Sequence, residues 1–299
     1  MLLARLLVAL PLARSLSADF PTGFSRVVIA SGTSCYANTV GPALVRDWIE
    51  AGVDVTLLTR KVDIARAPLP VGNQYGHLAI GPSLVARTRF RRWDAGNPGA
   101  CAVGDFLGWE EVLEGADAVV HLTREVSGST ELEVGALARA IGACAKRPKA
   151  LVTLAPADGV VADDGFAGKR RARVASAEAE AAAASAAAGG VWSAYALRLA
   201  GVVGADWYGG QYGLIGGANC PWIHRSDLAR CIAHVASGGA RFSTADAPLV
   251  VGLGGGARAL DTAAAAEGAA KLTSSNFEFA YRDLEDAKND ARTAPAVWA

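Results

Sequence analysis

Apolar residues in this chain fall into short unbroken runs, separated by stretches whose apolar positions recur with helical spacing. Arg26-Val-Val-Ile-Ala30 is such a run, fit for a buried strand, and a stretch rich in Ser, Gly, Thr and Asn follows it. From Pro42 to Ala51, residues Ala43, Leu44, Trp48 and Ile49 share one helical face, and Gly52 ends the helix. Val53 to Thr59 reads as a second buried strand. Strand, loop, helix, strand is one βαβ unit, and a crossover of that kind makes the two strands parallel. Its first loop opens onto a helix N-terminus, where free backbone N–H groups and the helix dipole favour a phosphate.

The alternation continues. Residues 62–83 carry Pro68, Pro70, Gly72, Gly76, Gly81 and Pro82 and read as a loop or short hairpin. Val85 to Trp93 reads as an extended segment with Arg87, Arg89 and Arg91 on one face and Arg92 alongside. Such a row resists edge-to-edge pairing, or meets an anion or a partner. The spacing predicts a helix over Trp109–Leu113, a strand over Ala118–Leu122, a helix over Leu132–Ala145 and a strand over Ala150–Leu154. An alanine-rich helix over Ala172–Ala188 and a strand over Ala194–Leu199 follow. Ser226 or Asp227 is placed to cap a helix reaching Ala236. Together these predict an α/β fold with a doubly wound parallel sheet, Rossmann-like, over residues 25–204. Residues 205–299 follow as a small C-terminal region.

Composition narrows the function classes. The chain has 299 residues, 52% of them hydrophobic, enough for a large core. Its 29 basic residues balance 29 acidic ones, so no global field points to nucleic acid or a membrane surface. Residues 1–19 have an early Arg, an apolar run from Leu6 to Leu12 and then small residues, which resembles a secretory leader and is too short for a membrane span. Ser17-Ala-Asp-Phe-Pro21 also resembles the cleavage site of plastid-directed leaders in algae with complex plastids. Secretion and the cytoplasm are the alternatives. The five cysteines are scattered, with no C-x-x-C, which argues against a disulfide framework and for a reducing space such as a plastid stroma. The four histidines are dispersed and show no metal-ligand spacing, so no metal is expected.

The candidate chemistry lies at the strand ends. In dinucleotide-binding folds the end of the second strand meets the adenine ribose, where an acid takes the 2′-hydroxyl and a base accommodates a 2′-phosphate. Thr59-Arg60-Lys61 offers two cations and no acid, which favours NADP(H) over NAD(H); otherwise it is a solvated basic strand end. A second glycine-rich stretch, Leu249 to Ala257, matches G-x-G-x-x-A. No strand ending in an acid or base lies downstream of it, so it reads as a turn.

Several motifs carry a resemblance. They are VTLLTRK at 55–61, Trp93-Asp94, LEGADAVVHL at 113–122, LRLAGVVG at 197–204, PWIHRSDLA at 221–229 and NFEFAYRDL at 276–284. With them the chain resembles the epimerase-like branch of the extended short-chain dehydrogenase/reductases, NADP-binding proteins with a small C-terminal domain of unknown function. The resemblance implies a nucleotide lying across the C-terminal ends of the strands, and a small, shortened α+β part over residues 205–299 that supplies the substrate side. Gly32 and Thr33 would sit in the phosphate loop, Gly41 would be the last glycine before the helix, Thr59, Arg60 and Lys61 would lie at the ribose phosphate, and Leu122 and Thr123 would line the cofactor.

The departures are equally specific. Where the family has G-G-T-G-F-I-G, this chain has Ser31-Gly-Thr-Ser-Cys-Tyr-Ala-Asn-Thr-Val-Gly41, with middle glycines replaced and about four residues added to the loop. The superfamily's Tyr-x-x-x-Lys acid/base pair is absent, and Thr153, near the usual catalytic hydroxyl position, is the one candidate; it also reads as a plain strand residue. Two readings follow. One is a divergent, weakly active NADP(H)-binding epimerase or oxidoreductase of unknown substrate. The other is an inactive scaffold or binding subunit whose protein partner lies in a larger plastid assembly. On either, the leader is removed near Ala18 to Phe20. N-terminal sequencing of the native protein should therefore start in that interval, and recovery of Met1 would refute the processing.

Overall fold

A computed structural model describes residues 20–21, 23–31, 35–59, 62, 82–93, 108–122, 130–157, 167–199, 201–207, 211–214, 221–238, 242, 249–253 and 262–293. The apolar run at Arg26 forms β1 (Arg26–Ser31), followed by α1 (Cys35–Glu50) and β2 (Asp54–Thr59). A short helix α2 (Pro82–Val85) leads into β3 (Thr88–Arg92), and a single 3-10 turn (Glu110–Leu113) precedes β4 (Ala118–Leu122). Then come α3 (Thr130–Ala143), β5 (Ala150–Pro156), α4 (Ala167–Ala187) and β6 (Ser193–Leu199). The last third holds β7 (Gly201–Trp207), β8 (Gln211–Leu214), β9 (Trp222–His224), α5 (Arg225–Ser237), β10 (Leu249–Val251), α6 (Thr262–Ser274) and α7 (Leu284–Thr293).

Seven strands form one sheet in the order β3-β2-β1-β4-β5-β6-β10, and every neighbouring pair is parallel. Successive side chains of a strand point to opposite faces, and here both faces are apolar. Val27, Ile29, Val55, Leu57, Val120 and Val152 pack against Leu44 and Trp48 of α1 and Leu228 and Ile232 of α5. Val28, Ala30, Leu58, Val119 and Leu151 pack against Leu137 and Ile141 of α3 and Ala177 and Ala181 of α4. With helices on both faces, the doubly wound fold is as the alternation predicts. The charged segment at Arg87 is the edge: Thr88 and Phe90 of β3 point inward, Arg89 and Arg91 outward, and Arg89 pairs with Asp54 at 2.9 Å.

Three elements differ from expectation. Helix α1 starts at Cys35, not at Pro42. The helix ahead of residue 42 has no apolar period to announce it, and the residues counted as loop insertion extend its N-terminus instead. Helix α5 is capped by His224, whose Nδ1 accepts from the Ser226 N–H at 3.3 Å, and not by Ser226 or Asp227. The carboxylate of Asp227 turns instead to the C-terminal segment, accepting from the N–H groups of Ala280 (2.9 Å) and Tyr281 (3.1 Å). Finally, β10 lies within the stretch expected to form a separate part, yet it pairs with β6 as the seventh strand. The second, smaller sheet is β8-β7-β9, joined to the chain beyond β10 by an antiparallel bridge between Trp222 and Leu253.

The amino-terminal edge of the sheet is held by Asp117. Its Oδ2 accepts from the N–H groups of Ser25 (2.7 Å) and Arg26 (3.0 Å), and its Oδ1 lies 2.5 Å from Lys149 Nζ. Burial pushes this carboxyl up, but the bonds from Lys149, Ser25 and Arg26 together outweigh it and hold it below the usual carboxylate value. A depressed folded value stabilises the native state above the unfolded value, near pH 4, and the contribution disappears as pH falls through the folded value. Asp117→Asn should accordingly cost about 2 kcal/mol at pH 7 by urea denaturation. The gap to the unsubstituted protein should close below about pH 4.

Candidate functional site

The strand order reverses at one place. Chain order runs from β1 outward through β2 and β3 on one side, and from β4 through β5 and β6 on the other. In open α/β sheets ligands bind in the crevice outside the carboxyl ends of the strands at this switch point. Ser31 and Leu122, the last residues of β1 and β4, are register partners there. Helix α1 begins at Cys35, only Gly32, Thr33 and Ser34 beyond β1, so its N-terminal backbone N–H groups open next to the crevice. A strand and a helix N-terminus three residues apart in sequence thus fit the backbone frame of a dinucleotide site.

The expected site residues divide into three sets. Gly32, Thr33, Arg60, Lys61 and Thr123 lie outside the described residues. Gly41 does not stand before the helix; it is buried inside α1, away from a phosphate loop, because the helix starts earlier. Thr59 and Leu122 end β2 and β4 as expected, Thr59 at 1% and Leu122 at 0% exposure. The side chain of Leu122 belongs to the core on the α1 and α5 face, and the Thr59 carbonyl accepts the N–H of Trp93 at 2.9 Å.

On the α3 and α4 face, near the carboxyl ends of β4 to β6, a row of polar side chains interrupts the apolar sheet. His121 is the register partner of Ala30 and of Thr153. Its Nε2 lies 2.9 Å from Glu133 Oε2 of α3, with both side chains fully buried. Thr153 shares its single hydroxyl proton between Glu178 Oε1 of α4 (3.3 Å) and the Tyr195 carbonyl (3.2 Å). Glu178 in turn grips Arg198 at the end of β6 with both oxygens, Arg198 Nη1 on Oε1 and Nη2 on Oε2 at 2.7 Å. The candidate hydroxyl of Thr153 is therefore sequestered, at 3% exposure, as part of a Thr–Glu–Arg cluster joining β5, α4 and β6.

Among the described side chains no phenol substitutes for the missing tyrosine on this face. Tyr195 of β6 points into the opposite core, and burial, partly offset by a bond from Ser193, pushes its hydroxyl up, so it keeps its proton. Glu178, Arg198 and the His121–Glu133 pair escaped the sequence reading. A histidine inside an apolar strand and an acid on the buried stripe of the next helix were the available signals. Among the described residues no group of three or more His, Cys, Asp or Glu could hold a metal ion, and no helix is long and apolar enough to cross a membrane.

No protein-family model matches the chain, and no curated protein matches it. Among solved structures it is similar to MoeE5 in complex with UDP-glucose and NAD (18% identity, 77% of each chain, TM-score 0.46). It is also similar to the Bordetella bronchiseptica enzyme WbmF in complex with NAD+ and UDP (17% identity, 88% of this chain and 80% of that one, TM-score 0.48). A third is UDP-glucose 4-epimerase from Bifidobacterium longum in complex with NAD+ and UDP (12% identity, 71% of this chain and 73% of that one, TM-score 0.45). Likenesses this distant carry no argument about activity. The fold stands on the chain's own strand order.

The Thr–Glu–Arg cluster predicts a stability effect. Glu178→Ala strands the Arg198 guanidinium in a half-buried position and should cost about 3 kcal/mol in urea denaturation. Thr153→Ala removes one neutral hydroxyl and should cost about 1 kcal/mol. Equal losses would mean that the ion pair is not what the cluster contributes.

Proposed function

We propose that the chain binds a nicotinamide dinucleotide, NADP(H) in preference to NAD(H), across the carboxyl edge of its sheet, as an epimerase- or oxidoreductase-like protein. The observation that carries this reading is the strand-order reversal between β1 and β4, with α1 opening directly beside it. The backbone N–H groups at the start of α1 favour the pyrophosphate. Arg60 and Lys61 follow Thr59, the last residue of β2, and supply the positive charge for a 2′-phosphate. When bound, the nicotinamide would supply hydride transfer. The chain's own part is to hold and orient the nucleotide and keep water from the sheet edge.

A second reading, a catalytically silent binding or scaffold subunit of a plastid assembly, is favoured by Thr153. Its hydroxyl is already committed to Glu178 and the Tyr195 carbonyl, and the chain has no Tyr-x-x-x-Lys pair. A positioned acid/base contributes roughly 10²–10⁴-fold to a rate, so its loss leaves slow turnover at most.

Calorimetry on protein lacking the leader, from about residue 20, separates these ideas. NADPH should bind more tightly than NADH by roughly 10- to 100-fold, the size of a charge-assisted contact of about 1.5–3 kcal/mol. Arg60→Ala should remove most of that preference. Failure of both nucleotides to bind at millimolar concentration would overturn the cofactor reading, and an NADH preference would show that Arg60 does not face the ribose.

A further inference from the structure

The arginine row on β3 divides in two. Its first half is engaged by the body. Arg87 Nη2 donates to the Ile49 carbonyl near the end of α1 at 2.7 Å, and Arg89 pairs with Asp54 at the start of β2 at 2.9 Å. Its second half, Arg91 and Arg92, lies at the other end of the strand, where β2 ends. Arg91 is the register partner of Leu58, and Arg92 of Thr59. Arg91 is exposed and Arg92 half-buried.

The backbone that carries these two arginines is fixed on both sides. Thr88 and Phe90 are buried, and the Thr88 hydroxyl donates to the Leu84 carbonyl at 2.8 Å. A slip of one residue would turn both outward, so the register of β3 is set. Past Arg92 the ladder continues, with the Trp93 N–H on the Thr59 carbonyl at 2.9 Å. The Trp93 indole is buried, its ring centre 5.9 Å from that of Trp109. Arg91 thus stands at a definite place at the carboxyl edge. Paired strands run about 4.8 Å apart and advance about 3.3 Å per residue, which puts the end of β2 within reach of an arginine side chain at this position.

On the nucleotide reading proposed above, the end of β2 meets the adenine ribose. A 2′-phosphate there carries roughly −1.5 to −2 charge near neutral pH, more than one guanidinium neutralises. Arg60 and Lys61 follow β2 in the sequence, and β3 brings a further guanidinium to the same end of the sheet from the neighbouring strand. Asp63 and Asp94 stand close by in the sequence, so residues 60–63 and 91–94 together hold four cations and two acids.

We infer that Arg91 is a second arginine for the 2′-phosphate, so that the preference for NADP(H) is read from β3 as well as from the end of β2. The inference rests on the nucleotide reading and adds to it a residue on a different strand. Arg89 supplies the comparison within the same strand. It lies two residues earlier, about 7 Å back along β3, and is also exposed. Removing either arginine changes the net charge equally, but at physiological ionic strength exposed charges are screened over about 8 Å. A direct contact at Arg91 is therefore separable from a general field.

Calorimetry on the full chain with NADPH and NADH tests it. Arg91→Ala should weaken NADPH about fivefold and NADH by no more than about twofold. Arg91→Lys keeps the charge and should keep most of the NADPH affinity, while Arg89→Ala should change neither nucleotide by more than about twofold. Equal losses from Arg89→Ala and Arg91→Ala would reduce Arg91 to part of a general field and overturn the inference. A parallel loss of both nucleotides in Arg91→Ala would overturn it too. If Arg60→Ala removes the preference while Arg91→Ala leaves it intact, the nucleotide reading stands and this inference falls. If neither nucleotide binds the unsubstituted protein at millimolar concentration, the reading itself falls and takes the inference with it.

Discussion

Burial of the sheet on both faces is the constraint from which the rest of the molecule follows. Val27 and Ile29 need an apolar cover on one side and Val28 and Ala30 on the other, and a single layer of helices can satisfy only one pair. Placing α1 and α5 on one face and α3 and α4 on the other meets both demands. Each of those crossovers returns the chain to the same end of the sheet, so the strands are parallel and all their carboxyl ends share one edge. The crevice between β1 and β4 is then a by-product of covering both faces, and it exists before any residue is chosen to use it.

Polar groups inside such a sheet are costly unless partnered, and four carboxylates near its strands are partnered in ways that serve the frame. Asp117 fixes the amino ends of β1 and β4, Glu178 joins α4 to β5 and β6, and Asp227 ties the C-terminal segment to α5. The His121–Glu133 pair docks α3 on β4. Asp117, Glu178 and Asp227 each receive two or more donors, and the Nδ1 of His121 has no hydrogen-bond partner. Structural use of the groups near the strand ends removes them from the pool available for chemistry. Thr153 is the plainest instance, since a hydroxyl that shares its proton between Glu178 and a carbonyl is not free to polarise a substrate.

Most of the frame is legible in the sequence because burial on both faces writes unbroken apolar runs. Ala118–Leu122 coincides with its predicted strand, and β1, β2, β5 and β6 lie within two residues of theirs at either end. What escaped depends on partners far along the chain. The start of α1 at Cys35 runs through Tyr, Ala, Asn and Thr with no apolar period, so no local signal announces it. The cap of α5 is an imidazole, outside the usual Ser, Thr, Asp and Asn set, because Asp227 is drawn off to Ala280 and Tyr281. The three residues of β10 are too few to show a period and become a strand only by pairing with β6.

The early start of α1 also changes what the glycine losses mean. As a loop insertion, residues after Ser34 would push the helix away from the crevice and weaken any anion site. As helix, they bring its N-terminus back to within Gly32, Thr33 and Ser34 of β1, where the unpaired N–H groups and the dipole act at short range. On the nucleotide reading proposed above, the side chains that stand in the sequence where the family has glycines would oppose that attraction. Electrostatic attraction from a helix N-terminus falls off within its first turn, whereas steric exclusion by a side chain is absolute at contact. On that reading, selectivity between the two nucleotides would rest on Arg60 and Lys61, which follow β2 in the sequence and need no glycine to give way.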